Sequence, residues 1–482
     1  VPPGAPVPPG APLPPVAACQ AASISARGWR AVNATTESSG NNCGSSVTSF
    51  AVYRPMPPGG RYRSCSTLTA TRTKRILSVQ PVAERGGSDR ALARLVRSLA
   101  QDGWDCHIAL PAPSPMAAEF EAAGATLHVV PMRRITTSGS TRYWVAYLLG
   151  WPVAVFRLVV LARRLRVDMV HSNSLHSWYG FAAAAIVRRP HLWHAREIVV
   201  QSDAALRLER RLCRTFADTV VAVSEAVAAQ LDRANVVVCY DQVDPDEFHP
   251  RRAGHFRPRL GLTDDAVVVG VAGRIDTWKG IEVLLDAVPE LQRRRPGLEV
   301  VVAGGPVAGK EEYASRLAAR AAALAGVHWL GARDDMAELI ADLDVLVLPS
   351  TEPEPFGLAV IEALASGVPV VASAAGGPLE ILGTDPSGAG TGAGAGRLVS
   401  PGDPSELAAA VIELLPPGPS STSQRRQRPV LQAATPAGNL PAVFEAVLNA
   451  SRESRASRAS RGSPKRRRRG TGSSGRRRSD PR

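Results

Sequence analysis

The stretch STEPEPFGLAVIEALASGVPVVAS, residues 350–373, decides how the rest of the chain is read. It follows one apolar run, DVLVLP (344–349), and closes on another, VPVVAS (368–373). Between them, LAVIEALAS is built largely of good helix formers. The unit therefore reads strand, tight loop, helix, strand, which is the grammar of a parallel βαβ sheet. Glu354 falls in the loop at a strand's carboxyl end and Glu362 on the helix that follows. Open α/β sheets bind ligands at that edge.

The same alternation extends outward in both directions. Towards the C-terminus of the chain's body, VVVGVAG (267–273), LEVVVAG (298–304) and VHWLG (327–331) belong with the two runs above. Upstream lie RILSVQ (75–80), CHIAL (106–110), TLHVV (126–130), VDMVH (167–171), HLWHA (191–195), TVVAV (219–223) and VVVCY (236–240), with helical stretches such as SDRALARLVRSLAQDG (88–103) between them. The expected fold is α/β, with two successive doubly wound Rossmann-like units facing across a cleft. The boundaries follow the pattern: an extension over 1–74, a first unit over 75–243, a linker over 244–264, a second unit over 265–450 and a basic tail over 451–482.

Charge separates the ends from the body. Of the formal +14, residues 1–75 supply +7 and residues 451–482 supply +11, which leaves the span between them at −4. The body is therefore not built to bind a polyanion. The Pro-rich start and the Arg/Ser/Gly finish bury too little apolar surface to order themselves, and disorder is expected in both. The KRRRR run in the tail is the one segment suited to nucleic acid or acidic lipid. The six cysteines show no CxxC or Cys/His spacing, which excludes a zinc ribbon or a disulfide scaffold, and Cys106 and Cys239 lie in apolar runs that suit burial. No basic segment followed by an apolar run opens the chain, so no secretory leader is expected, and a cytoplasmic location fits. The segment 143–166, YWVAYLLGWPVAVFRLVVLARRLR, is interrupted by Pro152 and Arg157, which argues against a spanning helix. Two placements suit it: packed on the sheet, or lying at the inner face of a plasma membrane with Trp144, Trp151, Arg163, Arg164 and Arg166 as anchors.

The loops after the first strand of each unit carry the candidate ligand contacts. In PVAERGGSDRALARL, Gly86 and Gly87 precede a helix, where backbone N–H groups can approach a phosphate. A plain tight turn explains the pair about as well. The absence of GxGxxG argues against a nicotinamide or flavin enzyme. In AGRIDTWKGIEVLLDAV, Arg274 and Lys279 bracket a short turn, and two cations at a strand mouth suit a diphosphate. GGPVAGKE (304–311) fits GxxxxGK, but Glu311 stands where a P-loop needs Ser or Thr, so an NTPase is not expected. Eight helical residues rise about 12 Å, whereas glycosidase carboxylate pairs sit roughly 5–9.5 Å apart. Glu354 and Glu362 thus read as holding two parts of one long ligand, such as the sugar and ribose of a nucleotide sugar, with Arg274 and Lys279 on its diphosphate.

These motifs, EPFGLAVIE with ALASGVPVVASAAGGPLEIL, GRIDTWKG, VHWLGARDDMAELIADLDVLVLPS and GRLVSPGDPSELAAAV, resemble glycosyltransferase family 4, the large family of retaining GT-B enzymes. The resemblance covers roughly 75–415. It implies a nucleotide-sugar donor held mainly by the second unit, an acceptor on the first, retention at the anomeric carbon, and no metal or other cofactor. Carried over, Glu354 lies beside the donor sugar, Phe356 and Gly357 offer backbone N–H groups, and Glu362 holds the ribose. Arg274 and Lys279 neutralise the leaving diphosphate, Gly87 contacts phosphate or acceptor, and His194 falls near the family's active-site histidine. Glycolipid, polysaccharide and small-molecule acceptors all fit. So do a catalytically impaired nucleotide-sugar binder and a GT-B epimerase. Three features depart from the family pattern: Asp241-Gln242 before Val-Asp, the Gly-rich loop 385–396, and the segment after Leu415.

Overall fold

The computed structural model describes residues 73–461, apart from 136–138, 201, 232–234, 384–394, 419 and 434–437. The disorder expected over 1–74 falls outside the described residues up to position 72, as does the tail beyond Arg461 and most of the Gly-rich loop 385–396. Two parallel sheets make up the rest. The first has seven strands: β1 (Lys74–Val79), β2 (Trp104–Leu110), β3 (Ala125–Val129), β4 (Met169–Ser172), β5 (His191–Ala195), β6 (Thr219–Ala222) and β7 (Val236–Val238), in the order β3-β2-β1-β4-β5-β6-β7. The second has six: β8 (Val268–Ala272), β9 (Glu299–Ala303), β10 (Val327–Gly331), β11 (Val345–Leu348), β12 (Val370–Ser373) and β13 (Gly396–Val399), in the order β10-β9-β8-β11-β12-β13.

The Val-rich strands follow from helices lying on both faces of each sheet, so that β11 and β12 are buried along their whole length. In each sheet the strand order reverses once, between β1 and β4 and between β8 and β11. Loops diverge to opposite faces there and leave a crevice at the carboxyl ends. The Gly86–Gly87 loop follows β1, the Arg274 and Lys279 loop follows β8, and the Glu354 loop follows β11. The two-unit fold is thus the one the alternation predicts.

The expected boundary at 450 is corrected by the last helix, Leu440–Arg461, which runs through it. Its Phe444, Val447 and Leu448 are buried in the core of the first sheet with Ile76, Leu92 and Met169, not in the second unit. Glu445 accepts from Trp104 Nε1 at 2.8 Å and pairs with Lys74. The apolar positions recur at helical spacing, and this docked half seeds a helix that Arg, Ala and Glu then extend.

The segment after Leu415, where the family pattern lapses, is pinned by buried charge. Arg425 Nη2 donates to Asp264 Oδ1 at 2.6 Å and Arg428 Nη2 to Asp344 Oδ1 at 2.7 Å. Arg257, from the stretch expected as a linker, shares the cluster through Asp344 Oδ2 at 2.8 Å. Within that stretch Asp244 pairs with Arg97 of the first unit, whereas Arg257 is buried against the second. Cys106, Cys213 and Cys239 are buried free thiols.

The long helix Thr141–Leu165 passes through Pro152 without a break. By length and apolar composition it is long enough to cross a membrane. One stripe of it, including Tyr147, Val155, Leu158 and Val159, packs with Leu77, Val79 and Val170 of the first sheet.

The docked last helix makes a direct prediction. Truncating the fully buried Phe444 to alanine should destabilise the first unit by about 3–5 kcal/mol, read as a lower midpoint in urea denaturation.

Candidate functional site

Lys279 stands at the end of a short 3-10 turn, Thr277–Lys279, capped by the Asp276 carboxylate. The next residue, Gly280, has φ 65°, and a Cβ there would lie 1.9 Å from the Pro349 carbonyl oxygen. Only glycine lets this turn press against the end of β11. The contact brings Lys279 Nζ to 2.6 Å from Glu354 Oε2, and Ser350 Oγ donates to the same oxygen at 3.1 Å. The Glu354 backbone is also fixed, its N–H donating to the Ala375 oxygen at 3.2 Å and its carbonyl accepting from Gly377 N at 2.8 Å. Gly376 permits that stacking, since a Cβ on it would meet the Glu354 carbonyl oxygen at 2.1 Å.

Phe356 is buried, 6.0 Å between ring centroids from Tyr240. Gly357, at φ 104°, turns the chain into the helix Leu358–Ala365, whose first N–H groups lack intrahelical partners. Glu362 sits one turn further in and is 2% exposed. A carboxylate so deeply placed needs a cation, and it comes from the other unit: Arg94 Nη2 lies 2.9 Å from Glu362 Oε1. Burial opposes the Arg94 charge, but Glu362 beside it outweighs that and raises its pKa. Arg94 Nη1 also donates to the Gln242 carbonyl at 3.2 Å.

Arg94 belongs to the helix Gly87–Gln101, which starts at the predicted glycine pair. A Cβ on Gly87 would lie 3.0 Å from Leu358 Cδ1, so this glycine lets the helix close on the glutamate helix. Further contacts join the units. Ser224 Oγ donates to the Pro355 carbonyl at 2.6 Å, and the Glu380 carboxylate accepts from Glu225 N and Ala226 N, each at 2.8 Å. Arg274 is exposed, and its charge acts on Asp89 of the first unit.

The first sheet supplies a buried polar chain at its own crevice. Asp89 accepts from Gln80 Nε2 at 2.8 Å, Gln80 from Asn173 Nδ2 at 3.1 Å, and Asn173 from Arg196 Nε at 2.9 Å. Arg196 Nη1 then reaches Asp241 Oδ2 at 2.7 Å. Burial pushes the Asp89 carboxyl up to about 6, against the hydrogen bonds from Gln80 and Gly86. Asp241, which departs from the family pattern, thus answers the Arg196 guanidinium.

The structure brings together Lys279 with Glu354, and Glu362, Phe356, Gly357 and Gly87 around one helix start. It does not bring His194 to them. That residue is fully buried on β5, its Nε2 meets no hydrogen-bond partner among the described residues, and its ring lies 5.8 Å from that of His171. Burial and the nearby Arg196 hold its pKa well below the ordinary histidine value. Its Nδ1 lies 3.5 Å from Arg196 Nη2, which ties it to the buried polar chain of the first sheet. Arg94, Asp89, Asn173 and His176 were not foreseen. Only Arg94 left a signal, seven residues after Gly87 and so on the same helix face. Among the described residues, no group of three or more His, Cys, Asp or Glu is placed to hold a metal ion.

Known proteins resemble this chain in sequence and in fold. Residues 86–242 match the family model described as a glycosyl transferase 4-like domain, and residues 266–416 the one described as glycosyl transferases group 1. A D-inositol 3-phosphate glycosyltransferase of Kineococcus radiotolerans is 34% identical over 286 residues, 57% of this chain and 62% of that protein. Its namesake in Stackebrandtia nassauensis is 35% identical over 240 residues, 44% of this chain and 53% of that one. The chain therefore spans between half and two thirds of these relatives. Among solved structures, Anabaena HepE in complex with UDP and glucose matches with a TM-score of 0.58 at 24% identity, over 80% of this chain and 99% of that one. Sucrose-phosphate synthase of Thermosynechococcus elongatus matches with a TM-score of 0.57 at 21% identity, over 80% of this chain and 100% of that one.

One pair at this crevice carries a pH prediction. His176 Nδ1 lies 2.8 Å from Glu209 Oε1. Burial works against its charge, but the bond to Glu209 and the fields of Glu197 and Glu209 prevail and raise its pKa to about 9. The folded value lies above the unfolded one, so the pair stabilises fully below pH 6.5 and its contribution is lost as pH rises through about 9. Urea midpoints should fall across that window in the wild type, and His176→Gln should flatten the fall.

Proposed function

The chain belongs to the GT-B glycosyltransferases of group 1, and from that premise we propose that it moves a sugar from a nucleotide-sugar donor to an acceptor hydroxyl with retention at the anomeric carbon. The observation that carries this reading is the 2.6 Å pair of Lys279 with Glu354 at the switch point of the second sheet. It sets a cation and a carboxylate side by side where a sugar diphosphate would need both. Lys279 and the exposed Arg274 stabilise the departing diphosphate by fixed charge, the largest single lever such a site has. Glu354 orients the sugar, and the first N–H groups after Phe356 and Gly357 meet its hydroxyls or phosphate. Glu362 takes the ribose hydroxyls once Arg94 releases it.

The acceptor lies across the crevice, against the Asp89, Asn173 and His176 edge of the first sheet. Front-face attack with the leaving phosphate as base asks only that the two units hold donor and acceptor in register. Metal independence is part of the proposal and rests on those two cations. His194, 3.5 Å from Arg196 Nη2, stands with that acceptor edge.

The test is thermal shift with UDP, GDP and ADP, followed by titration. One nucleotide class should raise the melting temperature of the wild type. Lys279→Ala and Arg274→Ala should each remove a charged hydrogen bond worth about 1.5–3 kcal/mol, a loss of roughly ten- to a hundredfold in affinity. A folded protein that no nucleotide shifts would overturn the reading. Binding with no release of sugar to any acceptor would leave a nucleotide-sugar binder and sink the transfer step.

A further inference from the structure

Among the described residues, twelve large hydrophobic side chains are exposed, and six of them lie on the long helix Thr141–Leu165: Val145, Leu148, Leu149, Val153, Phe156 and Val160. Their spacing forms one stripe along a helix. Leu149 is 73% and Phe156 67% exposed, so the stripe is open rather than grazed by neighbours. The opposite stripe is already accounted for by its packing on the first sheet. The helix is therefore apolar on two sides, and only one side has a partner.

Its charges say what the other side meets. Arg142, Arg157, Arg163 and Arg164 are exposed along it and Arg166 caps it, while residues 141–166 contain no Asp or Glu. An apolar stripe flanked by arginine alone complements an apolar surface bordered by negative charge. A second copy of the helix would set arginines against arginines. Pro152, in turn, has no N–H to give the Leu148 carbonyl. A spanning helix would need neighbours in the membrane to satisfy that oxygen. Crossing a membrane would also strip Tyr147, Val155, Leu158 and Val159 from the core.

We propose that this face of the helix Thr141–Leu165 docks the protein on an anionic lipid bilayer, with the helix lying in the plane of the interface. The helix starts after β3, at the carboxyl edge of the first sheet, and Tyr143 Oη donates to the Arg134 carbonyl at 2.6 Å there. The Arg134 charge is felt by His176, so the docked end of the helix and the candidate site share one edge. The inference stands without the proposed reaction.

Flotation of the full chain with vesicles tests it, using phosphatidylcholine alone and mixed with phosphatidylglycerol in equal parts. The wild type should float with the mixed vesicles and not with the neutral ones. A triple variant, Leu148→Ser with Leu149→Ser and Phe156→Ser, keeps the basic tail and the buried stripe. Its bound fraction should drop on the order of tenfold, with an unchanged melting curve. Arg163→Glu with Arg164→Glu should weaken binding and its salt sensitivity. A triple variant that floats like the wild type would assign binding to the tail and overturn the proposal. So would a lipid-free dimer that the triple variant dissociates, which would make the face a contact between copies.

Discussion

Two buried carboxylates set the terms for the cleft. Glu354 and Glu362 lie at the switch point of the second sheet, 8% and 2% exposed, and a charge that deep is sustained only by a cation within reach. Each has a different supplier. Lys279 comes from the neighbouring loop of the same sheet, and Arg94 crosses from the first unit. The glycines at 87, 280 and 376 follow from this need, since each removes a Cβ that would keep the loops apart. Closure of the two units is thus coupled to the state of Glu362. On the proposed reading, a donor ribose and Arg94 compete for the same carboxylate, so the ligand loosens one contact between the units as it makes others.

Much of this was legible in the sequence, and physics explains which parts. Fully parallel sheets are covered on both faces, so their strands stand out as apolar runs, and the two-unit fold follows. The loops after β8 and β11 were legible because cations and a Pro-Phe-Gly turn stand between such runs. The partner of Glu362 was not. Arg94 is one arginine among several on an amphipathic helix, and its role depends on how the two units bring together residues 268 positions apart. The burial of His194 was not legible either, because both faces of β5 are covered and the HLWHARE motif alone does not reveal it. The boundary at 450 failed because helical spacing reports a buried face without naming the sheet that buries it.

The departures from the family pattern are compensated locally. Asp241 replaces an uncharged residue and neutralises Arg196, and the run after Leu415 replaces a regular helix with arginines docked on Asp264 and Asp344. The last helix still returns to the first unit. The Arg196–Asp241 and Arg428–Asp344 pairs are largely buried, and removing one partner from either would leave an uncompensated charge.

The central claim is that the Lys279–Glu354 and Arg94–Glu362 pairs occupy positions that a bound nucleotide diphosphate would take. A crystal structure with a nucleoside diphosphate bound tests it most directly. The account predicts that Lys279 Nζ turns from Glu354 to a phosphate oxygen, and that a ribose hydroxyl takes the place of Arg94 at Glu362. A nucleotide bound elsewhere, or one bound here with both pairs intact, would contradict it.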